Sequence, residues 1–163
     1  MIDDLRIGYG YDVHALAPGY PLVLGGVTVP HEQGAVGHSD ADVILHVICD
    51  ALLGALALGD IGHHFPDTDP AYKGIDSALL LERVYALVRA KDWSLANLDC
   101  TLCLQRPKVA GYVPAMRARI AEILGVDVER VSVKATTTEK LGFVGTEAGV
   151  SAHAVVLLRR SVA

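Results

Sequence analysis

Aromatic residues are scarce in this sequence. Two phenylalanines, one tryptophan and six tyrosines make up 6% of the 163 residues, although 52% of the residues are hydrophobic. The apolar content is therefore mainly aliphatic, which suits a compact globular protein that can also bury surface between subunits. A chain of this length can bury a good core, and we expect a single domain over residues 1–163.

Cysteine is rare as well, with Cys49, Cys100 and Cys103 as the only three. An odd number without a disulfide framework fits a reducing compartment, so we expect a cytoplasmic protein. Cys100 and Cys103 are three residues apart on a predicted strand. Their side chains should face opposite sides and should not chelate one metal together.

Basic runs and long apolar runs are both missing. The formal net charge is −5, which argues against nucleic-acid binding because that binding depends on neutralising phosphates. The start, MIDDLR, is acidic where a signal peptide would be basic. The most apolar stretch, residues 43–59, contains His46 and Asp50 and is too short and too polar to span a bilayer. We therefore expect neither a nucleic-acid nor a membrane partner.

Strand and helix patterns alternate along the chain. Strands are predicted at residues 6–14, 95–105, 130–138 and 149–160, and a hairpin is predicted about Gly25-Gly26. Helices are predicted from an N-cap at Ser39 to about Leu58, from Ser77 to Lys91, and from Pro114 to about Gly125. These elements predict an α/β (α+β) fold, a single-domain sandwich in which helices cover one face of a mixed β-sheet, plus a small β-hairpin.

Asp12 and His14 are the polar residues of the segment YDVHAL. On a strand they point the same way, with Cα atoms roughly 7 Å apart. In the first predicted helix, Asp42, His46 and Asp50 are spaced i, i+4, i+8 and form a polar stripe in an apolar helix. This stripe is either a solvent-facing edge or part of a functional site.

In the functional reading, Asp12, His14 and His46 supply three nitrogen and oxygen ligands. Three such ligands with an open fourth position are the pattern of a catalytic zinc site. Asp50 could then orient the imidazole of His46. An Asp-x-His pair is a weak signal by itself.

Two further polar segments could bind phosphate. His38 and Ser39 lie at the predicted helix start, where free N–H groups favour an anion, although a plain cap beside a chance histidine explains them equally well. The segment TTTE, Thr136 to Glu139, offers three hydroxyls and a carboxylate that could hold a hard cation such as Mg²⁺. It could also be an ordinary edge strand. Residues 60–76, dense in Pro, Gly and Asp, predict a long loop of the kind that forms lids or binding loops.

Four motifs together carry a resemblance to a known family. They are DVH, GHSDADVILHVICDALLGAL, DIGHHFPDTDP and KATTTEKLGF, and their order and spacing resemble the 2-C-methyl-D-erythritol 2,4-cyclodiphosphate synthase family over nearly the whole chain. The resemblance implies a homotrimeric phosphorus–oxygen lyase of the non-mevalonate isoprenoid pathway. It would cyclise 4-diphosphocytidyl-2-C-methyl-D-erythritol 2-phosphate to 2-C-methyl-D-erythritol 2,4-cyclodiphosphate and release CMP, using one catalytic domain.

The same resemblance implies the roles of individual residues. Asp12, His14 and His46 would bind one Zn²⁺ per subunit, and Glu139 would bind a Mg²⁺ or Mn²⁺ that bridges the substrate phosphates. His38 and Thr137 would be catalytic. The implied substrate contacts are Asp12, His14, His38, Ser39, Asp60, Ile61, Gly62, Phe65, Asp67, Asp69, Leu104, Gln105, Arg106, Pro107, Lys108, Thr136, Thr137, Thr138, Glu139 and Phe143. In the family, one subunit supplies the zinc and phosphate residues and its neighbour supplies the cytidine wall.

Two other functions fit parts of this pattern. A zinc-dependent phosphohydrolase would reuse the Asp-His-His set but leaves KATTTEKLGF unexplained. A non-catalytic trimeric nucleotide-binding module would keep LQRPK and TTTE but would not need three metal ligands.

The chain departs from the family after the residues GF. Members often carry TGRGEG there, whose Arg and Glu line a channel on the threefold axis that can hold an isoprenoid diphosphate. Here Thr146 stands at the Arg position, Glu147 follows, and Ala148 replaces the Glu. The active-site motifs are untouched by this change.

Overall fold

The fold is a five-stranded mixed sheet with helices packed on one face. The structure, a computed structural model, describes residues 4–161. Its strands are β1 (Leu5–Pro18), β2 (Leu22–Leu24), β3 (Val27–Val29), β4 (Gln33–Ala35), β5 (Trp93–Cys103), β6 (Val131–Thr136) and β7 (Gly149–Arg160). Its helices are α1 (Val43–Ala55), α2 (Ile61–His64), α3 (Ser77–Arg89), α4 (Val113–Leu124) and α5 (Gly142–Gly145). Residues 1–3 and 162–163 of the predicted domain, and so the first half of MIDDLR, lie outside the described residues.

The sheet has the order β4-β1-β7-β5-β6. In the part of the chain that the structure describes, β5 and β6 run parallel and the other neighbouring pairs of this sheet are antiparallel. Strands β2 and β3 form a separate hairpin, turning at Gly25 and Gly26, which both have positive φ. The predicted mixed sheet and the predicted hairpin are therefore confirmed.

Strand β1 and helix α1 pack unusually closely. A Cβ atom added at Gly8 would lie 1.8 Å from the backbone oxygen of Ala51, and one added at Gly10 would lie 2.1 Å from that of Val47. Only glycine fits at such distances. The alternate side chains of β1 point away from α1, into solvent: Ile7 is 72% exposed and Tyr9 is 58% exposed. The outer face of the sheet therefore exposes apolar side chains that residues 4–161 of one chain leave uncovered.

Helix α1 begins later than the sequence predicts. Its N-cap is Asp42, not Ser39, and its C-cap is Leu56. The Asp42 carboxylate accepts the N–H groups of Ile44 and Leu45, as a cap does. Ala41 has φ 55°, a left-handed conformation that prevents the helix from extending towards Ser39. The prediction that Ser39 caps this helix is therefore wrong, because Ser39 lies three residues before the N-cap.

The other predicted helices agree more closely. Helix α3 begins at Ser77 as predicted but ends at Arg89, and α4 ends where Gly125 adopts φ 62°, also as predicted. The predicted loop of residues 60–76 contains α2 and a 3₁₀ turn at Pro70–Tyr72. Among residues 4–161, no helix has both the length and the apolar character needed to cross a membrane.

Candidate metal and phosphate site

Three predicted metal ligands meet between β1 and α1. Asp12 Oδ2 lies 3.0 Å from His14 Nε2 and 3.0 Å from His46 Nδ1, and the two nitrogens are 3.1 Å apart. A tetrahedral zinc ion with bonds of about 2.0–2.1 Å holds its ligand atoms roughly 3.3 Å apart. The three atoms therefore have the chemistry and nearly the spacing that a divalent metal needs.

The electrostatics of the cluster also favour a cation. Burial raises the pKa of Asp12, but the hydrogen bonds and charges of His14 and His46 outweigh it and hold that pKa well below its usual range. Burial lowers the pKa of His46, but the hydrogen bond and charge of Asp12, helped by other carboxylates, raise it above its ordinary value. The cluster thus keeps an ionised carboxylate that attracts positive charge from a proton or a metal.

Two of the three residues in the polar stripe of α1 are buried and Asp50 is half-buried, so the stripe is not a solvent-facing edge. Asp42 is 0% exposed and His46 is 6% exposed. Besides capping α1, Asp42 accepts the N–H groups of Gly25 and Gly26 at the hairpin turn, at 2.9 and 2.6 Å. Burial raises the pKa of Asp42 to about 6, although these backbone bonds lower it. Asp42 therefore joins the hairpin to α1 and is not a metal ligand.

Asp50 does not orient His46 as the sequence suggests. Its carboxylate accepts the N–H of Ile61 at 2.8 Å and so fixes the start of α2. The Nε2 atom of His46 lies instead 2.9 Å from Ser77 Oγ and 3.2 Å from Ser39 Oγ. The spacing of residues within one helix could not reveal Ser77, because it lies 31 residues away in sequence.

A cavity of about 530 Å³ opens from the metal cluster. Six of the predicted substrate contacts outside the cluster line it, namely His38, Ser39, Ile61, Gly62, Phe65 and Asp67. His38 Nε2 lies 4.0 Å from a carboxylate oxygen of Asp67 across this cavity. Five further residues line the cavity although no sequence pattern predicts them, namely Val36, Gly37, Tyr72, Ile75 and Leu80. The apolar ones gave no signal, because they resemble ordinary core positions.

Two predicted contacts in the segment of residues 60–76 do not line this cavity. Asp60 accepts the N–H of His63 and caps α2, and Asp69 accepts the N–H of Ala71 and caps the 3₁₀ turn. Both carboxylates shape the segment that carries Phe65 and Asp67.

The remaining predicted contacts gather where the parallel strands β5 and β6 end. Leu104 donates its N–H to Thr136 O at 3.0 Å, and Gln105 accepts the N–H of Lys140 at 3.2 Å. The hydroxyl of Thr137 donates to Glu139 Oε1 at 3.1 Å. The two predicted segments LQRPK and TTTE therefore lie side by side.

A second cavity, of about 540 Å³, lies near these strand ends. Thr138 and Phe143 line it, together with Tyr9, Tyr11 and His153 on the outer face of the sheet. Within residues 4–161, this cavity and the cavity of the metal cluster share no lining residue. One chain thus keeps the metal cluster apart from Thr138 and Phe143.

Comparison with known proteins gives the family. Residues 5–159 match the sequence model of the YgbB family. The chain belongs to the YgbB family. A relative from Bacillus cereus (strain B4264), 2-C-methyl-D-erythritol 2,4-cyclodiphosphate synthase, is 58% identical over 155 residues, which cover 95% of this chain and 98% of the relative. A relative of the same name from Bacillus mycoides (strain KBAB4) has the same identity and coverage.

Solved structures similar to this YgbB family chain agree on the fold. The bifunctional IspDF from Campylobacter jejuni has a TM-score of 0.93 and 42% identity, covering 96% of this chain and 42% of the longer one. IspF from Plasmodium falciparum, solved as a CDP complex, has a TM-score of 0.86 and 33% identity over 98% of both chains. A 2C-methyl-D-erythritol-2,4-cyclodiphosphate synthase in a CDP-bound form has a TM-score of 0.87 and 40% identity, covering 94% of this chain and 99% of that one. The predicted family and fold class are confirmed.

Proposed function

We propose that this protein is an enzyme, a phosphorus–oxygen lyase that cyclises 4-diphosphocytidyl-2-C-methyl-D-erythritol 2-phosphate to 2-C-methyl-D-erythritol 2,4-cyclodiphosphate and releases CMP. The observation that carries the proposal is the Asp12, His14 and His46 cluster at one wall of a large cavity. Two relatives that are 58% identical to this chain over 98% of their own length carry the name of this synthase, which supports the proposal. We propose one catalytic domain that spans residues 1–163.

The reaction is a transfer within one substrate molecule. An oxygen of the 2-phosphate forms a bond to the β-phosphorus, and the anhydride bond from that phosphorus to the α-phosphate breaks, so that CMP leaves with the bonding electron pair. The second pKa of a phosphate monoester is about 6, so the attacking group is already largely ionised at pH 7. No general base is required, and the protein's main task is to hold the two phosphates together.

The metal cluster would hold Zn²⁺ through Asp12 Oδ2, His14 Nε2 and His46 Nδ1. When bound, the ion supplies Lewis-acid polarisation of the attacked phosphate and positive charge beside it. His38 and Ser39 line the same cavity and donate hydrogen bonds to phosphate and to the sugar-alcohol hydroxyls. Phe65 packs against the methylerythritol carbon skeleton, and Ile61 and Gly62 provide the adjoining wall.

The nucleotide end would lie against the ends of β5 and β6. Backbone groups of residues 104–108 and the hydroxyls of Thr136 and Thr138 contact the cytidine, with Phe143 beside them. The hydrogen bond from Thr137 holds the Glu139 carboxylate, which would hold a Mg²⁺ or Mn²⁺ ion, and that ion would supply positive charge to the substrate phosphates. Thr137 itself stabilises the phosphate that carries charge in the transition state.

We propose that three chains assemble so that each site is completed by a neighbour. Two observations support this. The metal cavity and the cavity of Thr138 and Phe143 are separate within residues 4–161 of one chain. The outer sheet face exposes the apolar side chains of Ile7, Tyr9 and Tyr11, and burying such a face is favourable at about 25 cal/mol per Å².

Phosphorus NMR of the zinc-loaded protein with the cytidine diphosphate-linked substrate tests the reaction. The expected result is a cyclic diphosphate together with CMP in equal amounts. The His46→Ala variant should give neither product, and Glu82→Gln, an exposed position on α3, should behave like the parent. Linear phosphate products would indicate a phosphohydrolase, and binding without turnover would indicate a nucleotide-binding module. Either result would overturn the proposal.

A further inference from the structure

The side of His46 that faces away from the metal cluster contacts a second, buried polar group. Its Nε2 atom lies 2.9 Å from the hydroxyl of Ser77, the first residue of α3. Ser77 is fully buried, and its hydroxyl donates to the carboxylate of Asp40. A chain of hydrogen bonds thus runs from Asp40 through Ser77 to His46.

The number of available protons fixes which group donates and which accepts in each of these hydrogen bonds. A carboxylate accepts hydrogen bonds, and Asp40 also accepts the N–H groups of Ser77 and Asp42, each at 3.2 Å. The single hydroxyl proton of Ser77 is therefore used on Asp40. Ser77 can only accept from His46, so the Nε2 atom of His46 must carry a hydrogen. The lone pair of a neutral His46 then lies on Nδ1, the atom that faces Asp12 and His14.

We propose that Ser77 and Asp40 are positioning residues for the metal site: they fix the tautomer and the ring orientation of His46 so that Nδ1 is ready to bind a divalent metal. Partners of this kind on a ligating histidine typically change metal affinity by about 10- to 100-fold. The inference rests on the proposed metal site but not on the proposed reaction.

Ser39 provides a matched control in the same chain. Its hydroxyl lies 3.2 Å from the same Nε2 atom, but its Oγ accepts the N–H of Ala41 and has no carboxylate partner in the described residues. Ser39 also lines the cavity, where its proton is available to a ligand. Loss of Ser39 should therefore affect ligand binding in the cavity, and loss of Ser77 should affect metal binding.

Zinc affinity of the metal-free protein, measured by competition with a chromogenic chelator and without substrate, tests the proposal. Ser77→Ala should weaken zinc binding about 10- to 100-fold, and Ser77→Thr, which keeps the hydroxyl, should restore most of it. Asp40→Asn should also weaken zinc binding, because its amide can donate to Ser77 and so favour the opposite tautomer of His46. Ser39→Ala should stay within about twofold of the parent. Circular dichroism shows which variants remain folded, and zinc affinities are compared among those variants alone.

The visible spectrum of the Co²⁺-substituted protein adds a readout of ligand geometry. We expect its absorption bands to shift in Asp40→Asn and to be unchanged in Ser39→Ala. The proposal is overturned if folded Ser77→Ala or Asp40→Asn keeps parental zinc affinity and an unchanged cobalt spectrum. It is also overturned if Ser39→Ala loses as much affinity as Ser77→Ala. Because no substrate is present, these outcomes are independent of whether the cyclisation occurs.

Discussion

Gly10 lies so close to Val47 that a Cβ atom at Gly10 would come within 2.1 Å of the Val47 backbone oxygen. Gly10 is two residues before Asp12 on β1, and Val47 follows His46 on α1. The close contact of these two backbones therefore brings the proposed metal ligands Asp12 and His14 of the strand to 3.0 and 3.1 Å from Nδ1 of His46 on the helix.

Gly10→Ala should destabilise the protein strongly. The added methyl meets a backbone oxygen, which cannot move aside as a flexible side chain can, so we expect a loss on the order of 3 kcal/mol in the free energy of unfolding. Urea denaturation measures it. Gly111→Ala is the control, because a Cβ there meets no atom within 4 Å. Equal stability of the two variants would contradict this account of the strand–helix contact.

The zinc site should be separable from the second cation site. We expect about one zinc per chain, lost in His46→Ala because two ligands are too few to hold the ion. Glu139→Ala should keep its zinc and lose most activity, because Glu139 belongs to the β6 end and not to the cluster. Elemental analysis and phosphorus NMR measure the two properties. Full zinc occupancy in His46→Ala would show that the ligand assignment is wrong.

Zinc binding should release protons near neutral pH. Burial lowers the pKa of His46, but the Asp12 carboxylate raises it above its ordinary value, so below that raised pKa a metal must displace a proton, and apparent zinc affinity should fall as the pH is lowered. Calorimetry in buffers of different ionisation enthalpy measures the release. Protonated His46 stabilises the metal-free fold. This contribution is complete below about pH 6.5, the ordinary pKa of histidine, and is lost as the pH rises through the raised pKa of His46 in the folded protein. A metal-free His46→Ala protein should lack this decline, and an identical pH profile for the two would refute the assignment.

The outer sheet face should be the subunit interface. Ile7→Lys places a charge on the most exposed apolar position of β1, and three copies would repel one another in a trimer. We expect the parent to sediment as a trimer, and this variant as a smaller species that still binds zinc but has little activity. Leu87→Lys, an exposed apolar position on α3, should remain trimeric. A fully active monomer would exclude a site shared between subunits.

Isoprenoid diphosphates should bind weakly or not at all in a central channel. Thr146 offers a neutral hydroxyl where family members often have Arg, and a diphosphate binds best through charge-assisted bonds. The neighbouring Glu147 is negative and is paired with Arg106 at 3.4 Å. Calorimetric titration with geranyl diphosphate tests this. Micromolar binding that a Thr146 substitution abolishes would contradict it.

Local sequence was enough where neighbouring residues set the conformation. The period of two in a strand puts Asp12 and His14 on one face, Gly25-Gly26 turns the hairpin, and Gly125 ends α4 in a left-handed conformation. The four motifs also identified the family, because their order along the chain is itself sequence information.

Contacts between distant segments decided the rest. The N-cap of α1 is Asp42, and the hairpin glycines, 16 and 17 residues earlier, donate hydrogen bonds that hold its carboxylate in place. His46 is held by Ser77, 31 residues away, although Asp50 has the helical spacing that suggested it. Local propensity carries no information on which buried groups will meet. Whether a polar residue becomes a cap, a ligand or a support is fixed only when packing removes water and each donor must find an acceptor.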